Sequence, residues 1–104
     1  MFQARQINLL LSTAREYQQR RVPLERFLYV LEGILAVLDD SALYELLHKE
    51  SLDLELIYAN TCIEGRALDD REKSAVDAGV ADVIAKAEAY LSKLPREASE
   101  DDAA

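Results

Sequence analysis

At 104 residues, half of them hydrophobic, the chain holds one domain with a real core and leaves no room for two. Three glycines and two prolines among many helix formers argue against an all-β protein, and a single cysteine excludes an intramolecular disulfide. The net charge of −8 makes a nucleic-acid phosphate backbone a poor ligand and a basic protein partner a favourable one, unless the acidity serves only solubility.

The charge is also polarised. Residues 1–31 carry five arginines against two glutamates, whereas residues 32–104 carry seven basic and eighteen acidic groups. No apolar run approaches the ~20 residues of a membrane span, and Met1 to Gln6 lack the basic-then-apolar pattern of a secretory signal. A cytoplasmic protein with no membrane partner is the expectation.

The first helix is predicted from about Phe2 to Arg20. Ile7, Leu10, Leu11, Ala14 and Tyr17 recur at three- and four-residue spacing and define one face. Pro23 marks a break and suits the first turn of a second helix, predicted over 23–38. Its main stripe is Leu24, Phe27, Leu28, Leu31, Leu35 and Leu38. Val30, Ile34 and Val37 lie off that stripe and are also apolar, so this helix is either central in the bundle or covered by a partner, for instance a second copy.

Asp39, Asp40 and Ser41 offer N-caps for a third helical region. Leu43, Leu46 and Leu47 give its first stripe. A polar stretch over 48–53 follows, in which Ser51 can cap a restart, before Leu54, Ile57, Tyr58 and Thr61 resume the period. The region is therefore one long helix or two short ones with a bend. It ends at Glu64-Gly65, where glycine can close the helix in the left-handed conformation. Asp69 and Glu72 have capping-box spacing at the start of a fourth helix, with the stripe Val76, Val80, Val83, Ile84, Ala87, Leu91 and Leu94 and a stop at Pro95. Residues 96–104 are acidic and aperiodic, which predicts a disordered tail on a domain spanning 1–95. Short connections imply antiparallel neighbours, so the predicted fold is all-α, an antiparallel four-helix bundle whose third helix is either continuous or kinked or split.

Catalytic chemistry finds little support. His48 and Cys62 are the sole histidine and cysteine, and fourteen residues of continuous helix would hold them ~21 Å apart along its axis. Cys62 on a helix is expected as a small buried hydrophobe. Glu45 and His48 have the spacing of di-iron bundle ligands, but that site needs a second such pair and two further glutamates. Phosphate-binding glycine loops and Cys-x-x-Cys are absent. No enzyme activity, cofactor or metal is expected.

The best binding candidate is the segment 39–55. Asp39, Asp40, Glu45, Asp53 and Glu55 (with Glu50) surround Tyr44 against Lys49 alone. Carboxylates around an aromatic anchor suit a basic protein interface, although ordinary exposed acids beside a half-buried tyrosine would look the same.

Leu9-Leu10-Leu11, Tyr17, Arg20-Arg21-Val22 and Leu24-Glu25-Arg26-Phe27 together resemble the start of colicin D-type immunity proteins. Leu54-Glu55-Leu56-Ile57-Tyr58-Ala59 and Glu64-Gly65-Arg66 resemble other small helical immunity proteins of contact-dependent toxin systems. The resemblance covers about half the chain and implies a cytoplasmic antitoxin that occludes a basic nuclease domain. The alternatives are a phage-encoded nucleic-acid mimic of the anti-CRISPR kind and a structural or regulatory homodimer joined through Val30, Ile34 and Val37 of the second helix.

Overall fold

The computed structural model describes the backbone of residues 2–93 and the side chains of residues 4–93. Four helices follow in order: α1 Phe2–Gln18, α2 Leu24–Val37, α3 Ser41–Glu64 and α4 Asp70–Lys93. The predicted stop at Pro95 and the predicted tail at 96–104 lie outside the described residues. Each helix packs against two others: α1 against α2 and α4, α3 against α2 and α4. The result is a closed ring of four antiparallel helices, with the α1–α2 and α3–α4 turns at one end.

The caps explain where the helices stop. Beyond α1, the Arg20 N–H donates to the Tyr17 carbonyl and the Arg21 N–H to that of Glu16, both at 2.9 Å. Arg20 sits at φ 60°, a left-handed position where glycine is the usual occupant. Its guanidinium lies 5.2 Å from the Tyr17 ring centroid and reaches Asp77 of α4 at 3.2 Å, contacts that glycine cannot supply. Gly65 closes α3 in the same geometry, with φ 64°. Asp40 caps the start of α3 by accepting from the Leu43 N–H at 2.9 Å.

Asp69 and Glu72 form the expected capping box. The Glu72 N–H donates to Asp69 Oδ1 at 2.8 Å, and the Asp69 N–H donates to Glu72 Oε1 at 3.0 Å. Arg66 adds two further bonds to Glu72, at 2.5 and 2.9 Å. These donors, the Arg66 guanidinium first, lower the Glu72 carboxyl to about 2, from an ordinary value of 4.5. A depressed folded-state pKa stabilises the fold above the unfolded value and ceases to do so as pH falls through the folded one. Glu72→Gln should therefore destabilise the protein at pH 7, with a difference from wild type that shrinks as pH falls from about 4.5 to about 2. Urea unfolding across that range checks this. A pH-independent difference would remove Glu72 ionisation as the cause.

The core follows the predicted stripes closely. Ile7, Leu10, Leu11, Ala14 and Tyr17 are buried from α1, and Leu24, Phe27, Leu28, Leu31 and Leu35 from α2. Val76, Val80, Val83 and Ala87 are buried from α4. Where α4 crosses α3, side chains of α3 lie close against the α4 backbone at Gly79. A Cβ on Gly79 would lie 2.9 Å from Leu54 Cδ2, and Leu54 is itself buried. A larger side chain there would displace a core leucine.

One open alternative is decided and two expectations are corrected. The third region is one unbroken helix of 24 residues, because 41–64 contains neither glycine nor proline and the polar stretch over 48–53 keeps its helical bonding. Ser51 caps nothing and is buried within the helix. Leu46 is 48% exposed, because Leu43 and Leu47 take the inward positions of that turn. Cys62 is exposed rather than buried, because the neighbouring Thr61 faces inward in its place.

Val30 and Ile34 are buried in the chain's own core, which is the central-packing reading of α2. They therefore offer little more than their edges to a second copy. Of the three residues expected there, only Val37 stays exposed. Among the described residues no helix is long and apolar enough to cross a membrane.

Candidate binding surface

Ion pairing divides the surface of the bundle. On the α4 side, Arg15 binds Glu88 at 2.5 Å, Arg20 binds Asp77, and Arg66 binds Glu64 and Glu72. Lys86 binds both Asp82, at 2.7 Å, and Glu50, at 3.3 Å. The Lys86 ammonium and a hydrogen bond with Glu50 lower the Asp82 carboxyl, whereas burial raises that of Glu50. The acids of α4 are thus mostly neutralised within the fold. Glu45, Asp53 and Glu55 of α3 have no ion-pair partner among the described residues.

The candidate residues do not form one patch. Asp40 is committed to its cap, and Asp39 is exposed beside it at the α2–α3 end of the bundle. Tyr44 and Glu55 share a groove of about 270 Å³ between α2 and α3, with Glu32, Leu35 and Ala36 on one wall and His48 and Ser51 on the other. Glu45 and Asp53 are exposed and lie outside that groove. Helical spacing explains the split: Tyr44, His48, Ser51 and Glu55 follow one another at three- and four-residue steps on the flank facing α2, whereas Glu45 falls on the outward side of the helix.

The groove is preorganised. The Tyr44 and His48 rings stack with centroids 5.2 Å apart and planes 14° apart, which holds the 36%-exposed tyrosine against its own helix. Nearer the turns, the Tyr58 hydroxyl bridges α3 to α2 by donating to Glu25 Oε2 at 2.9 Å. Glu25, accepting that proton, holds the Tyr58 phenol protonated to about 12. Glu55 Oε1 is enclosed and has no hydrogen-bond donor among the described residues. A buried polar atom without a donor costs about 1–3 kcal/mol, and more when charged, which a donor would recover if the Glu55 side chain turned outward to meet it.

Glu32 and His48 belong to this groove and were not among the sequence candidates. Glu32 was missed because it lies on another helix, and His48 because it was weighed only as a catalyst or metal ligand. The continuous α3 keeps His48 and Cys62 ~21 Å apart along its axis. Among the described residues, no three histidine, cysteine or acidic side chains gather in a way that could hold a metal ion.

Two apolar surfaces accompany the groove. One lies between α1 and α2, where Leu9, Tyr29 and Val37 are exposed around the edges of Val30 and Ile34. The other is the outward side of α3, where Leu52, Leu56 and Ile63 are 53, 63 and 84% exposed. Comparison of the chain with protein-family models, curated proteins and solved structures returns no match.

Proposed function

We propose that the protein acts by binding, as a cytoplasmic immunity protein that neutralises a basic toxin, a nuclease domain above all, by occluding its active site with the acidic α2–α3 side of the bundle. The observation that carries this reading is the Glu55 oxygen without a donor, in a groove that also holds Glu32 and, about three helical turns away, the stacked Tyr44. An arginine or lysine from a partner would supply the missing donor, and Tyr44 would give the contact its apolar weight. Excess negative charge on this side, uncancelled by the ion pairs of α4, would draw a basic partner in. The weak resemblance to immunity proteins points the same way.

Co-expression tests the reading. The reading frame beside this gene, expressed alone, should arrest growth, and the present chain should restore it while co-purifying with that product in a salt-sensitive complex. A neighbour that is harmless, or toxic without relief by this chain, would overturn the assignment.

A further inference from the structure

The outward side of α3 carries a second apolar pattern, independent of the one that builds the core. The inward residues are Leu43, Leu47, Leu54 and Thr61. Leu52, Leu56, Ala59 and Ile63 follow one another at steps of four, three and four residues, all of them exposed. That alternation places four side chains in one narrow stripe, the pattern by which helices pair along a seam. Extended toward the N-terminus at the same steps, the stripe meets Lys49 and then Glu45.

We propose that this stripe pairs with itself, so that two copies of the chain associate antiparallel through the C-terminal half of α3. The charges decide the direction. A parallel pair would set Lys49 against Lys49 and Glu45 against Glu45 on the axis of the seam. The antiparallel register that stacks apolar layers only is Ile63 on Leu52 and Leu56 on Ala59, each layer occurring twice. Its two central layers put a large side chain against a small one, which lets the helices approach closely. Across its flanks Asp53 comes opposite Asn60 and Glu55 opposite Cys62, so no like charges face each other. Lys49 of each copy comes level with Arg66 just past the C-terminal end of the other α3, where the helix dipole is negative and the carboxylates of Glu64 and Glu72 outweigh Arg66 by one charge.

The overlap begins beyond Lys49, so the N-terminal turns of both α3 helices project at opposite ends of the pair. Tyr44 then stays uncovered in each copy, so the pair would leave the Tyr44 end of the proposed groove open twice, while its Glu55 end borders the seam. Four layers make a short seam, so association belongs in the micromolar range, at an ionic strength that screens the charge of −8 on each copy.

Sedimentation equilibrium on the full chain in about 0.15 M salt, from roughly 5 to 500 µM, is the first test. The wild type should pass from monomer to dimer over that range. Leu56→Lys and Ile63→Lys should each weaken the dimer by about 100-fold or more, since each substitution removes two buried apolar side chains per dimer. Both residues point away from the core, and an unchanged helical circular dichroism spectrum would verify folding. Val37→Lys, on the other exposed apolar face, should leave the dimer intact. The register is read from thiols. With Cys62→Ser in both chains, a mixture of the Leu52→Cys and Ile63→Cys variants should oxidise to the mixed dimer, and Leu52→Cys alone should not cross-link. A chain that stays monomeric to the highest concentration overturns the proposal. So does a dimer broken by Val37→Lys but not by Leu56→Lys, or a Leu52→Cys homodimer. These outcomes do not depend on the identity of any toxin.

Discussion

Phe27→Ala should cost about 3–5 kcal/mol of folding stability, which is a large share of the roughly 5–15 kcal/mol expected for a domain of this size. Phe27 is fully buried in the first turn of α2. Its ring stacks on that of Tyr17, with centroids 6.3 Å apart and planes at 30°. Tyr17 in turn lies under the Arg20 guanidinium, which reaches Asp77. The phenylalanine is thus the innermost member of a column that ties α2 to α1, to the left-handed turn and to α4. Truncation leaves a cavity against the face of Tyr17, and the ring cannot follow without releasing Arg20. Thermal unfolding should fall by about 12–40 °C, at the 4–8 °C per kcal/mol typical of 60–100-residue domains. Phe27→Leu keeps much of the volume and should cost less than half as much. A loss below about 1.5 kcal/mol for Phe27→Ala would mean that the column repacks freely and does not brace the turn.

The fold was largely legible because its signals are local. Helical spacing named the buried faces of α1, α2 and α4, and the caps at Asp40, Gly65 and Asp69 are short-range patterns whose geometry the structure reproduces. Misreadings cluster in α3, and for one physical reason. This helix is apolar on two sides, so a reading that assumes one buried face assigns Leu46 inward and passes over Leu52, Leu56 and Ile63. Its polar middle, 48–53, looked like an interruption but supplies both the α2-facing groove and the Glu50 contact to α4.

The candidate surface was legible in type but not in place. Composition along the chain marked 39–55 as acidic with an aromatic centre. Which carboxylates are cancelled, however, depends on pairs distant in sequence, such as Arg15 with Glu88, separated by 73 residues. Grouping by sequence also merged residues that the helix sends to different sides. Only the packing of α2 against α3 brings Glu32 beside Tyr44 and Glu55. The cap at Asp40 also makes it a poor position for testing binding by charge reversal, since any effect would mix with loss of the cap, worth about 1 kcal/mol.

The split between groove and outer face gives the second large prediction. A Tyr44→Ala, Glu55→Gln double variant should weaken binding of the captured basic partner by about 100-fold or more, through faster dissociation. It removes the aromatic anchor and the carboxylate that awaits a donor, and each such contact typically carries about 1–3 kcal/mol. A Glu45→Lys, Asp53→Lys double variant acts on two exposed carboxylates outside the groove. It should mainly slow association and flatten the salt dependence, with an affinity change of about tenfold or less. Surface plasmon resonance at 50 and 300 mM salt separates the two rates. The α3 seam can be held constant by adding Leu56→Lys to every chain compared. If the groove variant dissociates like wild type while the outer-face variant loses binding, the interface lies along the outward side of α3, and the unsatisfied oxygen of Glu55 is only a cost of packing α2 against α3. If dissociation quickens with the groove variant alone, the partner is held in the groove that Tyr44 and Glu55 line, and the acids outside it serve to guide its approach.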